Sequence, residues 1–354
     1  MTVLWRWLSV SWQRDRDRWL LGAAALALVA SFVNPGVTVE RSLFEHVVVL
    51  DVTQSMNVTD EQLGDKPASR LDFAKDALRR SLLQLPCGSK VGWAIFTEYR
   101  SLLLLAPVEV CAHLGELRAS LAQIDSRMAW SGNSEVAKGL HSGLVIAKAL
   151  EGKPSLVFVT DGHEAPPLNP RYRPSFDDKP GEVPGLIVGV GDLKPSPIPK
   201  SDPEGRPLGF WAADDVMQTD PRSQGRGGSV SGEALVDDRQ GSVAPSLGAT
   251  PGSEHLSAQR EAYLRQLAGE QGLTYHHLQS AQAFAAALTA PSLAKPVPVR
   301  ADGRVALGAL ALALLLARHL LPLWQRLTGG GRGRVGSGLL ARIFRGPPRT
   351  PRRR

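Results

Sequence analysis

The stretch His46-Val-Val-Val-Leu-Asp-Val-Thr-Gln-Ser-Met56 constrains this chain most. Val47 to Leu50 is an unbroken apolar run with three β-branched side chains, the pattern of a strand covered on both faces, as in a parallel sheet. The run ends at Asp51, and Thr53 and Ser55 follow at every second position, so a carboxylate and two hydroxyls crowd one strand end. In open α/β sheets, ligands sit outside the carboxyl ends of the strands. All three groups offer oxygen, which suits a hard cation such as Mg²⁺. Taken alone, Asp51 and Ser55 would serve equally as caps of a following helix.

Two later stretches bear on that choice. Leu156-Val-Phe-Val-Thr-Asp161-Gly162 is a second apolar run ending in a carboxylate, and Trp130-Ser-Gly-Asn-Ser134-Glu-Val-Ala-Lys-Gly-Leu140 is a polar turn leading into a helical pattern. Taken in order, the three stretches resemble the von Willebrand factor A family and its metal-ion-dependent adhesion site. That family carries Asp-x-Ser-x-Ser after its first strand, a Thr on a later loop and Asp-Gly after a later strand. Here Thr53 replaces the first Ser and Ser134 stands where the Thr belongs, and each departure keeps a hydroxyl. The resemblance covers about residues 44–290. It implies an α/β, Rossmann-like, doubly wound, mostly parallel sheet with one antiparallel edge strand. It also implies a Mg²⁺ site, with Ca²⁺ or Mn²⁺ as alternatives. Thr53, Ser55 and Ser134 would ligate through their hydroxyls, and Asp51 and Asp161 directly or through water. In the family a carboxylate from a protein partner completes the metal shell.

The balance of charge points to a membrane and not to nucleic acid. The chain has 354 residues and a formal net charge of +7, but no Asp or Glu follows Asp302, whereas Arg326, Arg332, Arg334, Arg342, Arg345, Arg349 and Arg352 to Arg354 do. The excess is therefore largely a C-terminal tail, which beside an apolar segment reads as a topology signal and a contact for anionic lipid. Trp19 to Val33 is apolar and preceded by Arg6, Arg14, Arg16 and Arg18; Val305 to Trp324 is apolar apart from Arg318 and His319. Basic flanks lie outside both segments, so the positive-inside rule puts both ends in the cytoplasm and the middle across the membrane. The expected layout is a cytoplasmic N-terminus over 1–18, a span over 19–38, the domain over 44–290, a linker over 291–303, a second span over 304–325 and a basic tail over 326–354. A cleaved signal peptide ending near Val29-Ala30-Ser31 is the alternative for the first segment.

Cys87 and Cys111 lie about twelve positions either side of Tyr99, in a pattern of strand, tight turn and strand. Residues equidistant from a hairpin turn face each other, so a disulfide Cys87–Cys111 is expected, which suits an oxidising compartment such as a bacterial periplasm. Two unrelated buried thiols are the alternative.

Elsewhere, periodicity predicts helices over 70–85, 114–124, 134–150, 261–271 and 281–288, a buried strand over 185–191 and an edge strand over 273–278. Residues 193–257 are rich in Pro, Gly, Ser and Asp and read as a loop-rich insertion, either functional or simply loose. Gly209-Phe-Trp211 is its apolar patch, a candidate short strand. His46 and His163 read as rim residues. No G-x-S-x-G, Walker A, H-E-x-x-H or paired C-x-x-C occurs, so a binding protein is expected, with a metal-dependent hydrolase the remote alternative. Asp51-Val-Thr-Gln-Ser-Met-Asn57 also resembles membrane A-domain proteins associated with MoxR-type ATPases. That likeness implies an accessory or maturation factor in the bacterial inner membrane with its main domain periplasmic. Its partner would be a periplasmic quinoprotein (methanol-type) dehydrogenase or other membrane A-domain proteins, and a general envelope assembly or stress factor is the alternative.

Overall fold

The apolar run that ends at Asp51 is the carboxyl end of a long strand. The computed structural model describes residues 2–33, 37–168, 172–202, 204–218, 234–237 and 252–329. In chain order the elements begin α1 (Thr2–Val33), β1 (Val37–Asp51), β2 (Glu61–Leu63), β3 (Lys66–Ala68), α2 (Arg70–Ser81), β4 (Lys90–Thr97) and β5 (Arg100–Glu109). Next come α3 (Leu114–Gln123), α4 (Val136–Ala149), β6 (Ser155–Thr160), β7 (Tyr172–Ser175), β8 (Gly185–Gly189), β9 (Ser196–Pro197), β10 (Pro199–Ser201) and β11 (Pro207–Phe210). The last are β12 (Ala234–Asp237), β13 (Leu256–Ser257), α5 (Glu261–Gln271), β14 (Thr274–His277), α6 (Ala281–Leu288), β15 (Ala294–Ala301) and α7 (Gly303–Gly329).

The central sheet has the order β14-β8-β6-β1-β4-β5, with β15 pairing β1. The pairs β1–β4, β1–β6, β6–β8 and β8–β14 are parallel, and β4–β5 is antiparallel. This is the mostly parallel, doubly wound sheet with one antiparallel edge strand that the sequence predicts. Alternation along β1 divides the core. Val48 and Leu50 pack with Leu71 and Leu78 of α2, Leu117 of α3 and Phe284 of α6. Val47 and Val49 pack on the other face with Leu140 and Leu144 of α4 and Leu264 of α5. Burial of an aliphatic side chain is worth about 1.5–3 kcal/mol, so the run is the strongest local determinant of the fold. α4 approaches so closely that a Cβ on Gly139 would lie 2.1 Å from the Phe96 ring.

The chain proceeds from β1 to β4 and β5 on one side, then returns to β6, β8 and β14 on the other. The strand order therefore reverses between β1 and β6, where open α/β sheets form their binding crevice. The loop-rich insertion carries short pairings: β10 with β11, β13 with β9, and β12 with β7. Its residues 219–233 and 238–251 lie outside the described residues, as does the basic tail from 330 onward. The apolar patch around Phe210 pairs as expected.

The disulfide is present, joining Cys87 to Cys111 with Cα atoms 5.3 Å apart, just beyond the open end of the β4–β5 hairpin. Three expectations need correction. The linker expected over 291–303 is mostly strand β15, which pairs with β1; its Pro296 and Pro298 suit an edge position. The segment expected to span over 19–38 instead ends its helix at Val33, and Val37 and Thr38 already belong to β1, where β-branched residues favour the strand. His46 is not at a rim. It is buried within β1, with Nδ1 2.8 Å from Ser155 Oγ and Nε2 3.0 Å from the Leu288 carbonyl.

The chain divides into two compact units, Arg41–Val297 and the two ends, Met1–Glu40 with Pro298–Arg354. In the second unit α1 and α7 pack through small residues, Ala24 and Ala27 against Ala311, as helices do in lipid. Among the described residues Gly303–Leu321 is the segment long and apolar enough to cross a membrane, with mean hydropathy 1.7. The apolar part of α1, Trp19 to Val33, is shorter than the roughly 20 residues of a typical span, within a helix of 32 residues.

Candidate functional site

Asp51 closes β1 with its carboxylate fully buried. The Thr53 N–H and hydroxyl donate to Asp51 Oδ1 at 2.9 and 2.6 Å, and the Thr160 hydroxyl donates to Oδ2 at 2.6 Å. Thr160 is placed by register: Leu50 faces Val159 in the parallel ladder, so the next residues of β1 and β6 meet at the strand ends. Burial, then the neighbouring Asp161 carboxylate, pushes the Asp51 carboxyl up from 3.8 to about 7, and the Thr160 and Thr53 hydroxyls only partly oppose this. Asp51 does not cap the short helix that follows at Gln54–Asn57, whose N-cap position is Thr53 with no side-chain capping bond; one of its oxygens accepts from the Thr53 N–H instead. Its second oxygen, however, reaches across the sheet.

Asp161 follows β6 and is also fully buried. Arg70 Nη1 donates to Asp161 Oδ2 at 2.6 Å, the Ser257 hydroxyl donates to the same oxygen at 3.0 Å, and the His163 N–H donates to Oδ1 at 2.9 Å. Burial works to raise this carboxyl too, but the Arg70 guanidinium and the other partners outweigh it and hold Asp161 below the usual carboxylate range. The two carboxyls thus have opposite protonation tendencies. Gly162 turns the chain at φ +79°, a backbone state that side-chain-bearing residues rarely adopt.

Ser55 is buried beside them, its hydroxyl 3.4 Å from that of Thr53. Ser134 arrives from the loop before α4. Its N–H donates to the Ala165 carbonyl at 2.6 Å and its carbonyl accepts from Ala165 N–H at 2.8 Å, which ties the loop to the segment after β6. The Ser134 side chain is 2% exposed, yet its Oγ has no hydrogen-bond partner among the described residues. Thr53, Ser55 and Ser134 all line one cavity of about 230 Å³, together with His163. Burial holds His163 near pKa 4, so its ring is neutral at neutral pH.

The five side chains named from the sequence therefore gather at the crevice between β1 and β6. Three carry hydroxyls and two carboxylates, a set of hard oxygen donors. Among the described residues no three His, Cys, Asp or Glu side chains converge in the manner of a metal site; this set differs in drawing most of its oxygens from Ser and Thr. The set fits a hard cation. A buried hydroxyl oxygen without a partner is costly, and an ion bound there would satisfy Ser134.

Sequence reasoning missed Thr160 and Arg70. Thr160 was legible in principle, since it ends the strand that pairs with β1. Arg70 was not. It is fully buried at the first position of α2, bonded to Asp60 and Asp161 at 2.5 and 2.6 Å, with Ser257 of β13 as a further acceptor. Nothing local distinguishes it from an exposed arginine at a helix start.

No protein-family model matches the sequence, and no curated protein matches it. Among solved structures, the chain is similar to an aerotolerance-related membrane protein from Bacteroides fragilis NCTC 9343, 16% identical, covering 69% of this chain and 96% of that one with a TM-score of 0.43. It is similar to the conserved hypothetical protein BatB from Bacteroides thetaiotaomicron, 15% identical over 70% of this chain and 95% of that one, with a TM-score of 0.42. It also resembles a von Willebrand factor type A protein from Catenulispora acidiphila, 11% identical over 71% of this chain and 43% of that one, with a TM-score of 0.37. The fold rests on the sheet itself, mostly parallel with one antiparallel edge strand as expected from the sequence.

Proposed function

We propose that this chain is a membrane-anchored binding protein whose α/β domain holds Mg²⁺ at the β1–β6 crevice and through it grips a carboxylate of a protein partner. The observation that carries this reading is the Ser134 hydroxyl, buried without a partner among the described residues in the cavity that Thr53 and Ser55 also line. Thr53, Ser55 and Ser134 would hold the ion through their hydroxyls, with Asp51 and Asp161 ligating directly or through water; Ca²⁺ and Mn²⁺ are the next candidates. The ion supplies positive charge toward a carboxylate. The chain's own residues do the positioning: Thr160 orients Asp51, and Arg70 and Ser257 orient Asp161. No step of turnover is assigned, and a metal-dependent hydrolase is the reading that a turnover assay would reveal.

In this reading both termini are cytoplasmic and the domain lies in the periplasm of a bacterial inner membrane. The arginines outside the two apolar segments support that orientation, and the disulfide suits an oxidising compartment. The likeness of Asp51 to Asn57 to MoxR-associated proteins supports a role as accessory or maturation factor. The partner would then be a periplasmic quinoprotein dehydrogenase or another membrane A-domain protein.

Calorimetric titration of Mg²⁺ into the full chain in detergent, stripped with EDTA, tests the metal. The wild type should take up the ion, and Ser134→Ala should take it up far more weakly while melting at the same temperature in EDTA. A wild type that takes up no divalent cation refutes the reading.

A further inference from the structure

The cavity above the hydroxyls is lined also by Ile198, Trp211 and Met217, all from the loop-rich insertion. This wall is a folded part of the domain. The Trp211 N–H donates to the Ile198 carbonyl at 3.1 Å, and the Ile198 N–H donates to the His255 carbonyl at 3.2 Å. Lys200 lies 4.4 Å over the Trp211 ring and 3.2 Å from Asp215 Oδ2. Asp215 also lines the cavity, so its charge there is already paired. The indole Nε1 of Trp211 is buried without a partner among the described residues. Being a donor only, it calls for an acceptor on whatever enters.

Size narrows the guest. Pockets for drug-sized ligands run to about 300–1,000 Å³. A cavity of about 230 Å³ takes one or two side chains, not a folded surface. Its lining joins oxygen donors suited to a cation, the buried Glu164 and Glu254 carboxyls, whose charge a bound cation would offset toward an acidic guest, and an apolar wall headed by an aromatic ring. In an extended segment alternate side chains share a face, about 6.6 Å apart along the chain, so two residues at i and i+2 can meet both halves.

We infer that the site selects an acidic side chain on an extended partner segment, with a large apolar residue two positions away that packs against Trp211 and Met217. This rests on the metal reading above, because the acidic group is held through the ion. The insertion is then the element that sets specificity, and the crevice residues set only the requirement for a carboxylate.

The test uses the full chain in detergent and dye-labelled peptides amidated at the C-terminus, followed by fluorescence anisotropy in Mg²⁺ or EDTA. The probes are Leu-Gly-Asp-Gly-Leu, Ala-Gly-Asp-Gly-Ala and Leu-Gly-Asn-Gly-Leu. The leucine-flanked acidic peptide should bind best, and its binding should vanish in EDTA or with Asn in place of Asp. Trp211→Ala should erase about tenfold of the preference for leucine over alanine, the scale of an aromatic anchor. Met217→Ala should act in the same direction, and both variants should keep the wild-type Mg²⁺ titration. Equal affinity for the two acidic peptides, an unchanged preference in Trp211→Ala, or binding only of a peptide with a free terminal carboxylate would overturn the inference. So would Mg²⁺ uptake with no peptide binding, and in that case the metal reading stands. A wild type that ignores Mg²⁺ overturns both.

Discussion

Asp51→Asn separates a metal carboxylate from a structural one. In the fold Asp51 is fully buried beside Asp161, and its carboxyl is pushed up from 3.8 to about 7. The sign follows from linkage. A carboxyl raised in the folded state binds its proton more tightly there than in the unfolded chain. Stability is therefore fully present below about pH 4 and lost as pH rises toward about 7. The rise corresponds to about 4 kcal/mol between the protonated and ionised forms, an upper limit for a buried pair. Asn keeps the shape and can still accept from Thr53 and meet Thr160, but it carries no charge. For a domain of about this size each kcal/mol moves the melting temperature by about 2–4 °C. In EDTA, Asp51→Asn should thus melt with the wild type near about pH 4 and above it by as much as about 8–16 °C near about pH 8. Mg²⁺ should reverse the order at the higher pH by stabilising the wild type alone. The assay is thermal melting of the detergent-solubilised chain across that pH range at one scan rate. A mutant that melts below the wild type in EDTA at every pH, with equal response to Mg²⁺, would show that Asp51 is a capping and packing residue and refute the reasoning.

Ser134→Ala removes a hydroxyl that bonds to nothing among the described residues, so chemical denaturation should change by no more than about 0.5 kcal/mol. Arg70→Ala strips a buried guanidinium from Asp60 and Asp161 and should cost about 3–5 kcal/mol in the same assay; a loss under about 1 kcal/mol would mean the pair is not buried in solution. Reduction of Cys87–Cys111, with a sequence separation of 24, should lower stability by about 3 kcal/mol on a chain-entropy estimate, measured by melting with and without reductant. Alkaline phosphatase fused at sites within 60–290 should be active and fused after Trp324 inactive; an active C-terminal fusion would refute the two-span orientation.

Much of this protein is decided locally. The run Val47 to Leu50 reads as a strand sealed on both faces, because three of its four residues are β-branched and both faces are apolar. Helices α5 and α6 match the sequence-predicted bounds because each carries its own signals, Gly272 in the left-handed region after α5 and Ser280 capping α6. The disulfide was legible because a hairpin turns sequence symmetry into proximity. Asp51, Thr53 and Ser55 were legible for the same reason, being spaced along one backbone.

What the sequence could not decide depends on partners distant along the chain. β15 is a strand only because β1 extends far enough to receive it, so a Pro-rich stretch that reads as a linker finds a ladder. Arg70 is an ordinary helix-start residue until the fold brings it to Asp161, 91 positions away, and to Ser257. Trp211 is an isolated aromatic in a loop until the insertion packs over the crevice. Periodicity and capping are encoded within a few residues and survive in one dimension. The pairing of a buried charge, and the wall that closes a site, are set by contacts across the whole chain.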